Sequence, residues 1–127
     1  MLASLGQMER SLVVKLTCGL DAPERANQAL TVGATAIAAG AQVSLWLTGD
    51  ASWFAVPGRA ETLDLPYAAP APDLLASILE GGRVTVCSQC AARRELTTDD
   101  LLPGVEIRGA AAFVEESLAP GAQALVY

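Results

Sequence analysis

Cys87 and Cys90 form a C-x-x-C pair at the end of the apolar run Arg83-Val84-Thr85-Val86, just before Ala91-Ala92-Arg93-Arg94. The chain contains no histidine. Ser-His-Asp and Cys-His catalysis are therefore unavailable within one chain, and chemistry must run on thiols, carboxylates, hydroxyls or arginine. The thiolate is the reactive form of cysteine, and helix N-termini and nearby cations favour it. A strand-to-helix junction puts Cys87 in such a place, which makes it the candidate nucleophile. Ser88, Gln89 and the backbone amides that open the next helix would supply the field, with Arg93 and Arg94 adding positive charge beyond. Cys90 fits two uses: it would resolve a mixed disulfide or accept sulfur from Cys87, or it is a small core residue of the helix. Cys18 follows an earlier apolar run, where a lone thiol suits packing better than chemistry.

Two other thiol chemistries are compatible with the pair. A thioredoxin-like redox motif also follows a strand, although its central pair here is Ser-Gln and the first half of the chain lacks the look of that module. A zinc site would draw only two ligands from one C-x-x-C, and would need Cys18, a carboxylate or a neighbouring chain for the rest.

The elements that must position these thiols alternate along the chain. Ser11-Leu12-Val13-Val14-Lys15-Leu16 is short, β-branched and nearly continuous in apolar character, as in a strand buried on both faces. Asp21-Ala22-Pro23-Glu24 reads as a helix start, with Asp21 as its cap and Pro23 in the first turn. That helix is expected to run to Ala39 and stop at Gly40. Its thin apolar stripe (Ala26, Ala29, Leu30, Gly33, Ala34, Ile37) would let it lie close to a sheet. Gln42 to Leu47 is a second strand, closed by Thr48-Gly49-Asp50. Residues 51–72 carry Pro57, Pro66, Pro70 and Pro72 and little periodicity. They read as an irregular excursion, long enough to shape a site or an interface. Asp73 to Glu80 is a helix, Arg83 to Val86 a strand and Ser88 to Arg94 a short helix. Val105 to Ile107 is a strand, Gly109 to Leu118 a helix, and Ala122 to Val126 a last strand.

Strands alternating with helices predict an α/β fold: a three-layer α/β/α arrangement on a mostly parallel sheet of about five strands. In such sheets ligands bind beyond the carboxyl ends of the strands. Cys18, Gly49, Cys87 and Gly109 each follow a different strand there, so the topology would bring them to one edge. The turn after the first strand lacks the Gly-rich dinucleotide fingerprint, and there is no Walker A motif. The remaining residues read more plainly: Trp46 in the core, Trp53 and Phe54 covering a site or an oligomer contact, and Asp99, Asp100, Glu115 and Glu116 as helix-start or solvated-face charges.

The composition bounds the function. The 127 residues suit one domain with a core, and 52% hydrophobic content with 17% charge argues against disorder. The net charge of -6 disfavours nucleic acid and anionic membrane as direct partners. Met1 to Arg10 lacks a basic n-region and a long apolar stretch, so no secretory signal is expected; residues 1–9 read as a frayed extension. Three cysteines, an odd number, suit reduced thiols and a cytoplasmic location. Nothing in the sequence calls for a metal or an organic cofactor.

The order of these motifs resembles the DsrE/DsrF-like family, which includes TusD-type sulfur-relay proteins. Similar chains place D-x-P-E-R-A after the first strand, here Asp21, Pro23, Glu24, Arg25 and Ala26. A strand ending L-T-G-D follows, here Leu47 to Asp50, and then V-C-x-x-C with an arginine-bearing helix, here Val86, Cys87, Cys90, Arg93 and Arg94. The segment V-E-I-R-G-A-A-A-F-V-E matches the closing strand and helix. The TusD-type pattern has Arg-Arg-Gly after its cysteine, whereas this chain has Arg93-Arg94-Glu95. The resemblance implies a DsrE-like fold, a persulfide on Cys87 and exchange with sulfur donors and acceptors, whether proteins or small thiols. It also implies a trimeric or hexameric homo-oligomer. A second reading keeps the fold without the chemistry, as an assembly or small-ligand-binding module.

Overall fold

The computed structural model describes residues 10–127; the expected extension at residues 1–9 lies outside them. Five strands form one sheet: β1 (Ser11–Leu16), β2 (Gln42–Leu47), β3 (Arg83–Cys87), β4 (Glu106–Arg108) and β5 (Ala122–Val126). Their order is β4-β3-β2-β1-β5 and every pairing is parallel. Helices α1 (Pro23–Ala38), α2 (Ala71–Gly81), α3 (Ser88–Arg93) and α4 (Ala110–Ser117) make the crossovers. This is the expected α/β architecture. Among the described residues no helix is long and apolar enough to cross a membrane.

The period-two alternation of strand side chains gives the sheet two unlike faces. On the first, Val14 and Leu16, Val43, Leu45 and Leu47, and Val84 and Val86 are buried together. They pack under α1 and α2, through Ala26, Ala29 and Leu30 of α1 and Leu75 and Ile78 of α2. The small stripe on α1 works as expected: a methyl placed at Gly33 would come within 2.8 Å of Ile78 Cδ1. The helix ends in a Schellman arrangement, with Gly40 N–H donating to Ile37 O and Ala41 N–H to Ala36 O. Gly40 takes a φ of +88° there, a conformation that costs glycine little.

The second face is polar. Register sets Lys15, Trp46, Thr85 and Glu106 in one row across four strands. Helix α4 covers this face yet buries none of its own residues fully. It is held by one carboxylate. Glu116 Oε1 accepts from Ser44 Oγ at 2.6 Å and Trp46 Nε1 at 2.9 Å, and Arg108 Nη2 lies 2.7 Å from its Oε2. Phe113 meets Trp46 edge-on, with ring centroids 5.5 Å apart. Trp46 is in the core as expected, but Glu116 is not on a solvated face: its side chain keeps 19% of its exposure. The reason is the polar inner surface of the sheet, which a neutral helix face could not satisfy.

Two further local expectations are corrected. Ala22, not Asp21, occupies the cap position of α1 and makes no side-chain cap hydrogen bond. The Asp21 carboxylate instead accepts from Gly19 N–H at 2.8 Å, closing the turn after β1. Within residues 51–72, two 3-10 turns (Gly49–Ala55 and Ala60–Thr62) bury Phe54 in the core rather than leaving it to cover a site. Trp53 is half-buried, with the Arg59 guanidinium 4.5 Å from its ring centre. The expected role of Asp100 stands: it forms a capping box with Thr97.

Candidate functional site

Cys87 ends β3 and caps α3, with φ -59° and ψ 131°. Val84 and Val86 point into the core; Thr85 and Cys87 take the opposite parity, toward the polar face. As the last residue of its strand, Cys87 also clears the sheet edge. It is only half-buried, whereas Cys18 and Cys90 are buried, and all three thiols are free. Partial burial works against ionisation of Cys87. The amide N–H groups of Cys90 and Gln89, the Cys90 thiol and the Lys15 ammonium outweigh that penalty, and the Cys87 thiol titrates below its ordinary value.

Cys90 faces the next strand end. Its sulfur accepts from Gly49 N–H at 3.2 Å. Gly49 can approach this closely for two reasons. It takes a φ of +53°, and a Cβ there would sit 2.7 Å from Thr17 O; a side chain would be strained and would also collide. The loops after β1 and β2 are thus stacked against each other, and the second is laid on α3.

The other sequence candidates separate. Ser88 borders Gly109, where an added Cβ would meet its Oγ at 3.2 Å, so the ends of β3 and β4 adjoin. Gln89 is exposed and contributes its backbone amide. Arg93 is exposed and forms no ion pair among the described residues. Arg94 instead turns inward, with its Nη2 3.2 Å from Asp50 Oδ1. Cys18 donates weakly to Ala22 O at 3.8 Å. Burial pushes its thiol above the ordinary value, only partly offset by Arg25. No group of three or more Cys, Asp or Glu gathers in a metal-holding arrangement among the described residues.

Lys15 was missed by sequence reasoning. Its signal was present: a lone cation in an otherwise apolar strand, near the carboxyl end. Its Nζ lies 5.0 Å from the Phe113 ring centre, and its charge reaches Cys87. A hollow of about 450 Å³ between Val13, Ser44, Gly82, Arg83 and Glu116 and one of about 510 Å³ between Pro23, Gln28, Leu65 and Tyr67 lie elsewhere, and neither is lined by a thiol. Strand-end geometry, not hollow size, singles out Cys87 as the candidate position.

The DsrE/DsrF-like family model matches residues 11–123. The chain belongs to this family. Several solved structures share the fold. The YchN protein of E. coli aligns with a TM-score of 0.77 at 17% identity, covering 93% of this chain and 99% of that one. Protein MTH1491 of Methanobacterium thermoautotrophicum gives 0.64 at 12% identity, covering 93% and 99%. BT1422 of Bacteroides thetaiotaomicron gives 0.55 at 15%, covering 92% and 95%. No curated protein sequence matches the chain. A sulfur-relay type of family is thus shown by the sequence match, and the fold of this DsrE-like chain by both comparisons.

Proposed function

We propose that this DsrE-family chain, acting as one domain, carries persulfide sulfur on Cys87. The observation that supports it is the half-exposed thiol whose ionisation is favoured by two amides, a neighbouring thiol and a lysine. In the first step the Cys87 thiolate attacks the terminal sulfur of a donor persulfide. The donor S–S bond breaks, the donor leaves as a thiolate with the bonding pair, and a new S–S bond joins that sulfur to Cys87. The amides of Gln89 and Cys90 then stabilise anionic sulfur at the same spot. An acceptor thiolate attacks the terminal sulfur, leaves as a persulfide and returns Cys87 as a thiolate. Alternatively, Cys90 attacks the Cys87 sulfur and expels hydrosulfide. That leaves a Cys87–Cys90 disulfide, which a dithiol must reduce.

Donor and acceptor are proteins or small thiols in this reading. The setting is the cytoplasm, where such thiols stay reduced. The active form is a homo-oligomer, a trimer or hexamer. Support for assembly comes from apolar side chains left in water on α4 and the edge strand β5: Val114, Leu118, Leu125 and Val126. The same exposed surface also favours the second reading, an assembly or ligand-binding module without thiol chemistry.

One experiment separates them. Protein is treated with a persulfide donor, weighed intact, and alkylated across the pH range around neutrality. Wild type is expected to gain one sulfur reversibly, and Cys87→Ser none. Alkylation of Cys87 should have its midpoint below the ordinary thiol value of about 8.5. Equal sulfur uptake by Cys87→Ser, or a Cys87 midpoint no lower than that of a free thiol, would leave the non-catalytic module standing.

A further inference from the structure

Arg94 makes two contacts from the end of α3. Its Nη1 donates to Cys90 O at 3.2 Å, one turn back in its own helix, and its Nη2 donates to Asp50 Oδ1 at 3.2 Å. Asp50 follows Gly49, whose N–H donates to Cys90 Sγ. One guanidinium therefore holds both partners of that contact: the turn carrying the donor and the helix carrying the acceptor. Its planar fork suits two acceptors at once, which a lysine ammonium could not span in the same way. Cys87 caps α3 and Cys90 is the third residue beyond it, so the sulfur that accepts from Gly49 sits one helical turn from the Cys87 thiol.

We propose that Arg94, paired with Asp50, is a positioning residue that fixes Cys90 against the turn after β2, so that its thiol supports ionisation of Cys87. The proposal rests on the reading of Cys87 as the reacting thiol, but its test needs no sulfur transfer. Arg94 touches no reactant; it acts through Cys90. Arg93, its neighbour in sequence, has no such contacts among the described residues and serves as the control.

The experiment follows Cys87 ionisation by thiolate absorbance, together with its alkylation rate at neutral pH. Arg94→Gln and Asp50→Asn should each slow alkylation about two- to fivefold, the range that a partly exposed ion pair supports. The double variant should be no slower than either single one, because both break the same link. Arg94→Lys keeps the charge but loses the fork, and should behave like Arg94→Gln. Arg93→Gln should match wild type. In a Cys90→Ala background, Arg94→Gln should have no effect on Cys87. The proposal is overturned if Arg94→Lys matches wild type, or if Arg94→Gln slows the Cys90→Ala protein equally, since either result makes charge alone sufficient. It is overturned equally if neither single variant changes the rate. A Cys87 that takes up no sulfur, in a protein whose variants still shift as stated, refutes the carrier reading and leaves this inference intact.

Discussion

Replacing Glu116 tests how the polar face of the sheet is held. The carboxylate accepts from Ser44 and Trp46 and pairs with Arg108; Arg83 Nη1 is more distant, at 3.5 Å. A hydrogen bond to a charged group is worth about 1.5–3 kcal/mol, and breaking a buried pair by removing one partner costs about 3–5 kcal/mol. The side chain keeps a fifth of its exposure, and Arg108 retains Thr85 Oγ1 at 2.8 Å and the Trp46 ring. The low end is therefore appropriate: Glu116→Ala should cost about 3 kcal/mol, and Glu116→Gln, which keeps one acceptor oxygen, about 1–2 kcal/mol. For a domain of this size the alanine variant should melt about 10 °C lower. Urea unfolding followed by tryptophan fluorescence reads the loss directly, since Trp46 is buried against Phe113. Glu115→Ala, on the exposed side of the same helix, should change stability by less than about 0.5 kcal/mol. The pH dependence has a definite sign. Burial alone would raise the Glu116 pKa, but Ser44, Trp46 and Arg108 overcome it and hold the carboxyl below its usual range. Its contribution is then fully present above the unfolded-state value of about 4.3 and is lost as the pH falls toward the folded one. The gap between wild type and Glu116→Gln should be flat from neutrality to about pH 5 and should close below about pH 4. An alanine variant within about 0.5 kcal/mol of wild type, or a gap that persists into strong acid, would refute the latch.

Two other outcomes follow from the strand ends and the exposed edge. Gly49→Ala should cost about 2–3 kcal/mol, from the left-handed backbone and the clash with Thr17 O. It should also raise the pH midpoint of Cys87 alkylation, because Cys90 loses its fixed donor; a variant as stable as wild type would show that the turn is not constrained there. Val126→Lys and Leu118→Glu, at side chains 65% and 79% exposed, should leave the protomer folded but shift sedimentation toward smaller species. An unchanged mass would place any assembly contact elsewhere.

Much of the fold was legible because buried parallel strands write themselves as short apolar runs. Ser11 to Leu16 and Gln42 to Leu47 carry that signal with little ambiguity. The thiol junction was legible too, since a strand end and a helix start meet at Cys87. What could not be read is long-range polar pairing. Ser44 and Trp46 lie 72 and 70 residues before Glu116, and a Glu-Glu pair on a helix otherwise looks like solvated charge. Asp21 misled for a local reason: its carboxylate serves Gly19, two residues back, so the helix begins without it. The choice between Arg93 and Arg94 turned on helical spacing. Arg94 stands four residues after Cys90, on the same side of the helix, and that spacing rather than charge picks it out.

The two strand-end cysteines show why position within the edge matters more than residue type. Cys18 lies beyond β1, beside the Asp21 turn, and its sulfur donates weakly to Ala22 O at 3.8 Å. Burial is the largest influence there and raises the pKa; Arg25 and the Cys18 amide oppose it, and the Asp21 charge adds to it. Cys87 occupies the cap of α3, where the first amides of the helix have no carbonyl partner within it. Burial is only partial there, and the amides of Cys90 and Gln89, the Cys90 thiol and Lys15 overcome it. The sheet thus offers two edge thiols of opposite character. The difference lies in the balance at each sulfur: burial prevails at Cys18, while the helix-start amides, the Cys90 thiol and Lys15 prevail at Cys87. In the proposed reaction this arrangement stands in for the absent histidine: a thiol ionised in advance needs no base to take its proton when a donor arrives.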